Sequence, residues 1–527
     1  MYGFGMNYGT VNTDMPVADT VYGKVRGENR NGIAIFRGIP YGGDCSGAKR
    51  FLAPEPAKSW EGIRDCRKNG NYAPQFGTSI SGDKVLGAYF SGGCPEKFGC
   101  EEEKQSEDCL VLNVLTPGCD NQKRPVVVYI HGGGFATGSG TLVLGADKWA
   151  REEDIVIVGV NHRLNVFGYL YLGEIDDRYR DSGVAGLLDL ALALKWVKDN
   201  IENFGGDPGN VTIIGESGGG AKVSMLMELK EVQGLFQKAV VESGSVPTGE
   251  KTKKEATKQA KKILKQLQIP ENHLELLWEK TTEELLTAMN QAGEVSAMDF
   301  MPVADGIHIL QHKGYTAPES AGKIPLLVGS SEDELAVFLD IRLLDEITWE
   351  NMEDYIQNVA GEWMPLYQTD KQSIPAIARQ FRRLNEKNNN PAHLFVWIVS
   401  QISALGSGAY YQAMAKAGQE APVYHYVISY DAPHPAAADK KYAWHTADLP
   451  LQMRIVLHPE CEEISRYMAH AWAAFIRNGN PSTGEIRWEP FTREEKKTMV
   501  IDEKRYMECD PWKEVRHILN SNLKRYS

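Results

Sequence analysis

The chain of 527 residues is 42% hydrophobic and carries 57 Lys and Arg against 70 Asp and Glu, a formal charge of −13. That acidic excess argues against nucleic acid or an anionic membrane as partner, because neutralising phosphates needs a basic face. No stretch approaches the roughly 18 consecutive apolar residues of a membrane span, and the first twenty residues hold neither Lys nor Arg nor the apolar core of a signal peptide. The expectation is a cytoplasmic protein with a small-molecule partner and apolar mass enough for a large core.

In chain order, the first informative segment holds Cys94, Cys100, Cys109 and Cys119. It contains no Cys-x-x-Cys pair and no interposed His, so no metal site is expected, and eight cysteines in all are too few for a disulfide scaffold. Then come short, nearly all-apolar runs at 125–130 (PVVVYI), 155–161 (IVIVGVN), 211–215 (VTIIG), 238–242 (KAVVE) and 324–329 (IPLLVG). Such runs predict strands buried on both faces, hence a large, mostly parallel sheet flanked by helices. Residues 185–203 have helical spacing and stop before Gly205-Gly206, a predicted C-terminal cap. Residues 251–293 turn Lys/Glu/Leu-rich, with capping-box spacing at Thr252…Glu255 and Thr281…Glu284, and predict a helical insertion over the sheet. Predicted strands at 423–429 and 498–502, with a helix over 464–477 between them, return the chain to the same sheet. A single α/β domain over 1–527 is expected.

The chemistry begins with Gly215-Glu216-Ser217-Gly218-Gly219, set between the strand VTIIG and a helical run at 221–229. A strand that turns directly into a helix strains the residue between them, and flanking glycines leave a serine hydroxyl exposed there: the nucleophile elbow of the α/β-hydrolase fold. His131-Gly132-Gly133-Gly134-Phe135 directly follows PVVVYI. Acyl transfer develops negative charge on the carbonyl oxygen, and glycine amides can face that oxygen unobstructed. Gly133 and Gly134 from this loop and Gly218 after the serine are the candidate donors of an oxyanion hole. His131 is expected to shape the loop and not to act as base.

A serine hydroxyl needs a base, itself oriented by an acid, and this fold supplies them in the order serine, acid, histidine. Glu332, Asp333 and Glu334 follow IPLLVG, and spacing does not choose among them. Downstream histidines are His393, His425, His434, His445, His458, His470 and His517. His425 falls in a predicted strand and His470 and His517 in predicted helices; His445, in a loop-like stretch, is favoured. An ordinary imidazole would give a rising pH–rate limb at about pH 6–7.

On these motifs the chain resembles the type-B carboxylesterases, which include p-nitrobenzyl esterases, animal carboxylesterases and cholinesterases. The likeness runs from about residue 21 to 512 through FRGIPY (36–41), SEDCLVLN (106–113), HGGGF (131–135), FGGDP (204–208), GESGG (215–219), ESGS (242–245) and FIRNGNP (475–481). It implies ester hydrolysis through an acyl-enzyme, without cofactor. It also implies Glu334 as the acid, closing a G-x-x-x-D-E pattern, and His445 as the base, opening H-x-x-[DE]-L-P. It implies Ser243 as a supporting serine that helps hold the histidine and acid, and Glu216, beside the serine, is a further supporting candidate. The family usually has Ala where this chain has Gly218, Gly where it has Leu335 and Tyr where it has His162. The family's cysteine partner for Cys109, expected before Pro-Gln, is Ala73 here; Cys94 or Cys100 remain alternatives. Amide or thioester cleavage by the same triad, or a non-catalytic binding homologue, are the competing readings.

Overall fold

The computed structural model describes residues 15–76, 104–245, 251–292, 299–310, 315, 317–360, 364–384 and 389–526. Its centre is an eleven-stranded sheet. In chain order the strands are β1 (Glu28–Arg30), β2 (Ile33–Pro40), β3 (Val111–Thr116), β4 (Arg124–Ile130), β5 (Val156–Val160), β6 (Gly206–Glu216), β7 (Lys238–Glu242), β8 (Leu326–Ser331), β9 (Val423–Ile428), β10 (Lys497–Ile501) and β11 (Tyr506–Cys509). The spatial order is β11-β10-β9-β8-β7-β6-β4-β5-β3-β2-β1. From β10 to β5 all neighbours run parallel. β1, β2 and β3 close one side antiparallel and β11 the other. The sheet is thus mostly parallel, as expected, with antiparallel margins on both sides. The motifs FRGIPY and SEDCLVLN run into β2 and β3 of that margin, and their polar and glycine content hid the strands.

The all-apolar strand runs have a direct cause. Along β4, Val126, Val128 and Ile130 enter one buried cluster, while Val127 and Tyr129 enter the cluster on the opposite face. Both faces are covered, so neither parity can be polar. The helix α1 (Ala185–Asn200) packs in the first cluster through Leu187, Leu190, Leu194 and Val197. Gly205 closes the following 3₁₀ turn at φ 76°, the left-handed cap that glycine adopts without strain.

Helix α2 (Gly218–Leu226) follows β6 directly. The segment at 251–293 contains the next two helices, α3 (Lys253–Gln266) and α4 (Thr282–Gln291). Both predicted capping boxes form, Thr252 with Glu255 and Thr281 with Glu284. Ile263, Leu264, Leu285 and Met289 are buried in the same cluster as Val126 and Ile130. The predicted helix near 464–477 is Glu462–Asn478, ended by Gly479 at φ 76°. No helix among the described residues is long and apolar enough to cross a membrane.

Parallel register brings the strand ends level. Ile130 pairs Gly215, Glu216 pairs Glu242, and Glu242 pairs Gly329. The carboxyl ends of β4, β6, β7 and β8 thus align, and the loops that leave them meet at one edge of the sheet, where open α/β sheets bind ligands.

Candidate active site

Ser217 sits between β6 and α2 with φ 55° and ψ −124°, a backbone conformation that side-chain-bearing residues rarely hold. Its N–H donates to the Glu242 carbonyl at 2.8 Å, and its carbonyl accepts from Ala221 N–H at 3.1 Å, so the strain is pinned from both sides. The flanking glycines are required by space. A Cβ on Gly219 would lie 2.0 Å from the Ile130 carbonyl oxygen, and one on Gly215 would lie 2.3 Å from the backbone of Gly219. Ser217 is partly exposed amid buried neighbours, as are Gly133 and Gly134.

The glycine loop after β4 lies against this elbow. Gly133 and Gly134 have φ of 82° and 63°. The Gly133 carbonyl accepts from the N–H groups of Ala136 and Thr137 at 3.2 and 3.1 Å. In a planar trans peptide this turns the Gly134 N–H the opposite way. Among the described residues, the N–H groups of Gly133, Gly134 and Gly218 donate to no loop or turn carbonyl. Gly132 is close enough that a Cβ there would be 3.3 Å from Cβ of Ser217. His131 is buried, with Nδ1 3.0 Å from the Gly132 carbonyl and its ring stacked on His162 at 4.6 Å. Burial pushes its imidazole down to about 3. That is the packing role the sequence suggested.

Geometry separates the three acids after β8. Glu334 is fully buried; its Oε1 accepts from Ser243 Oγ at 2.6 Å and from Ser331 N–H at 2.7 Å, and its Oε2 accepts from His445 Nδ1. Asp333 turns away to His393 Nε2 at 3.0 Å, and Glu332 contributes its carbonyl to Gln401. His445 arrives from the loop before the short helix Asp448–Gln452, held by a bond from its N–H to the Glu334 carbonyl at 3.3 Å and by an isolated bridge between Asp333 and Trp444.

Nε2 of His445 lies 3.2 Å from Oε1 of Glu216. Among the described residues Ser217 Oγ is not a hydrogen-bond partner of His445, a contact that commonly tightens only once substrate is bound. Burial works against charge on His445, but the Glu216 and then the Glu334 carboxylates outweigh it and raise the imidazole to about 9. Burial, only partly offset by His445, raises Glu216 well above the ordinary carboxylate range.

Sequence reasoning gave no role to two buried acids beside Glu334 and His445. Glu242, fully buried, accepts from Trp472 Nε1 at 2.6 Å and Gln452 Nε2 at 2.8 Å, and burial pushes its carboxyl well up. Asp448, whose carboxyl burial raises to about 6, accepts from Tyr426 Oη at 3.2 Å. Both acids stand inside recognised motifs, Glu242 in ESGS and Asp448 in H-x-x-[DE]-L-P, but nothing in the sequence gave either a role. Lys222 was missed too. It is buried on α2, and its Nζ donates to the carbonyls of Gly134 at 2.7 Å and His131 at 3.3 Å.

The remaining histidines lie elsewhere. His425 is in β9 against Thr498 Oγ1 at 2.9 Å, and His434 Nδ1 accepts from Ala436 N–H at 3.2 Å. His458 precedes the 3₁₀ turn Pro459–Cys461, His470 is in the helix Glu462–Asn478 and His517 in the helix Lys513–Asn522. Asp333, His393 and Asp431 are the described group whose ligand-type atoms converge, all within 4.8 Å of one another. Within it His393 Nε2 pairs with Asp333 Oδ2 at 3.0 Å. Cys109 is a buried free thiol; Cys94 and Cys100 fall outside the described residues.

A strained serine at the carboxyl edge of parallel strands, with an acid and a histidine brought beside it by later strand-end loops in that order, is the arrangement of the α/β-hydrolase class. Within it the chain belongs to the carboxylesterase family, whose model matches residues 14–520. It is a carboxylic ester hydrolase of the serine type. Over 520 residues it is 32% identical to the para-nitrobenzyl esterase of Bacillus subtilis, an alignment covering 95% of this chain and 98% of that one. A carboxylesterase structure from Geobacillus stearothermophilus superposes with a TM-score of 0.76 at 31% identity, covering 95% and 99% of the two chains. An esterase from Clostridium hathewayi, described as able to hydrolyse aliphatic aromatic polyesters, gives 0.76 at 27% identity over 97% and 99%.

Proposed function

We propose that Ser217 is the nucleophile, His445 the general base and acid, and Glu334 the acid that orients it, with Gly133, Gly134 and Gly218 as the oxyanion donors. Ser217 Oγ attacks the acyl carbon while its proton passes to His445 Nε2. The carbonyl electron pair moves onto oxygen, where the three amides receive it. Collapse expels the alcohol, which takes the proton from His445; water then repeats the cycle on the acyl-enzyme. Glu334 fixes the tautomer through Nδ1 and stabilises the imidazolium, while Ser243 holds the other carboxylate oxygen. The observation that carries this reading is the unbroken chain from Ser243 Oγ through Glu334 to His445 Nδ1.

The test is labelling with a fluorophosphonate and peptide mass spectrometry of the product. The adduct is expected on Ser217, and Ser217→Ala should lose roughly 10³-fold or more in kcat with the fold intact. An adduct on another residue would overturn the assignment.

The same reading takes residues 1–527 as one domain, since the helices at 251–293 share the cluster beneath β4. It takes the substrate to be a small ester and the compartment to be the cytoplasm. Supporting the compartment are the six described cysteines, all free thiols, as a reducing environment keeps them.

A further inference from the structure

We propose that Lys222 is a positioning residue for the oxyanion hole, tying both ends of the 131–134 loop to α2 so that its glycine amides are held toward the oxyanion before substrate arrives. The proposal rests on the esterase reading and assigns the loop a holder that lies outside the triad.

Lys222 is completely buried, yet no carboxylate pairs with it among the described residues. Burial alone pushes its ammonium down, to about 7. An unpaired buried cation is costly to a fold, and such groups persist where they serve a site. Its polar partners among the described residues are the carbonyl oxygens of His131, which precedes the glycine run, and of Gly134, which ends it; the Phe135 ring lies beneath Nζ at 5.2 Å. The charged and titratable groups facing it are His131 and His162, both kept neutral by burial.

The peptide planes give the consequence. Lys222 fixes the His131 and Gly134 carbonyls on the α2 side of the loop. The Gly132 carbonyl faces His131 Nδ1, and the Gly133 carbonyl is taken by Ala136 and Thr137. Planarity sets the Gly133 N–H opposite the Gly132 carbonyl and the Gly134 N–H opposite the Gly133 carbonyl; Lys222 holds the flanking planes, those of the Gly132 and Phe135 N–H groups, and so anchors the two ends of the loop between which the donors sit. The close approach shows at Gly218 as well, where a Cβ would meet the Gly134 oxygen at 2.2 Å and its Cα at 2.4 Å. The loop is drawn so near the elbow that only glycine fits after the nucleophile. Preorganisation of this kind counts because donors that need not move at the moment of reaction stabilise the oxyanion most.

A structural buried lysine and a positioning one differ in what replacement does. Lys222→Met removes the uncompensated charge while keeping most of the volume. Four measurements are made on wild type, Lys222→Met and Lys222→Gln: Tm, steady-state kinetics on p-nitrophenyl acetate, and inhibition by a trifluoromethyl ketone and by the matching methyl ketone. The trifluoromethyl ketone adds the serine oxygen and so places an oxyanion in the hole; the methyl ketone tests ground-state binding. Lys222→Met is expected to keep or raise Tm and to lose roughly 10- to 100-fold in kcat, less than the ~10²–10³ for deleting a direct donor. KM and methyl ketone affinity should hold within about twofold, and trifluoromethyl ketone affinity should fall by the same factor as kcat. Lys222→Gln, which retains a donor, should lie between. Unchanged trifluoromethyl ketone affinity overturns the proposal, as does equal weakening of both ketones or failure of both variants to fold. Failure of the esterase reading is distinguishable, because Ser217→Ala would then keep its activity and wild type would not take the fluorophosphonate label.

Discussion

Nε2 of His445 and Oε1 of Glu216 stand 3.2 Å apart, with only 3% and 2% of their side chains exposed. The proposed base therefore shares its proton-accepting face with an acid one residue before the proposed nucleophile, and because burial raises that acid as well, the pair holds one proton between them and titrates as a unit. Glu216 is the first contributor raising His445 and Glu334 the next, together lifting it to about 9 against the opposing effect of burial. A base must be neutral to accept the serine proton. The rising limb of kcat/KM is accordingly expected above pH 7, not at the roughly 6–7 of an ordinary imidazole. Glu216→Gln should move that limb to lower pH. Profiles on a non-ionising ester from about pH 5 to 10 decide it. A wild-type limb at or below about 6.5, or one that Glu216→Gln leaves in place, contradicts this electrostatic account.

The choice between adjacent acids is equally sharp. Glu334 faces His445, whereas Asp333 faces His393 at 3.0 Å. Glu334→Gln should cost roughly 10²- to 10⁴-fold in kcat, because an amide cannot fix the tautomer or stabilise the imidazolium as a carboxylate does. Asp333→Asn should stay within about tenfold, the scale of one lost hydrogen bond. Ser243→Ala should fall in that range as well, since Ser331 N–H still holds Glu334 Oε1 at 2.7 Å. A severe Asp333→Asn defect beside an active Glu334→Gln would reverse the assignment.

His393 couples stability to pH. Burial disfavours its charge, but Asp333 and then the Asp431 and Glu332 carboxylates overcome this and raise the imidazole to about 9. A folded value above the unfolded value of about 6.5 means that the proton binds the folded state more tightly. The contribution is complete below about pH 6.5 and disappears as pH rises through about 9. His393→Gln should therefore lower Tm clearly at about pH 6 and little at about pH 9.5. An equal loss at both, measured by differential scanning calorimetry, would assign His393 to packing instead.

What could be read from the sequence divides along a physical line. Both-face burial writes itself as unbroken apolar runs, so β4 through β10 were legible, and capping boxes mark helix starts by local chemistry, so α3 and α4 were too. The antiparallel margin β1–β3 was not, because its strands carry the Arg37, Asn113 and glycine content of the surrounding motifs. The elbow and glycine loop were visible because strained backbone demands glycine at particular offsets. Glu334 could not be told from Asp333 by spacing, since which neighbour turns inward depends on a backbone twist that no spacing encodes. Lys222 was invisible for the same reason: it looks like an ordinary surface charge until the helix face is known. Glu242 ends the predicted buried strand KAVVE and opens ESGS, yet its partners Trp472 and Gln452 lie 230 and 210 residues away, which no local pattern encodes.

The alcohol part of the substrate is constrained by an aromatic difference. In the cholinesterases that the chain resembles, a tryptophan in the segment before the conserved cysteine, here Cys109, stacks on the quaternary ammonium. Residues 74–108 here contain Phe76, Tyr89, Phe90 and Phe98 but no Trp. Of these aromatics only Phe76 falls among the described residues, and it is 38% exposed. Cation–π attraction is strongest for Trp and contributes about 0.5–2 kcal/mol, or roughly two- to thirty-fold in affinity. The net charge of −13 draws cations at long range, but salt screens that attraction beyond about 10 Å. Butyrylthiocholine should therefore be no better, in kcat/KM at about 0.15 M salt, than a neutral butyryl thioester of similar size and leaving-group pKa. A preference above about tenfold for the choline ester corresponds to roughly 1.4 kcal/mol of transition-state stabilisation. Such a preference would require a cation-binding aromatic that residues 74–108 do not offer as Trp, and Tyr89→Ala and Phe90→Ala would then be the first variants to locate it.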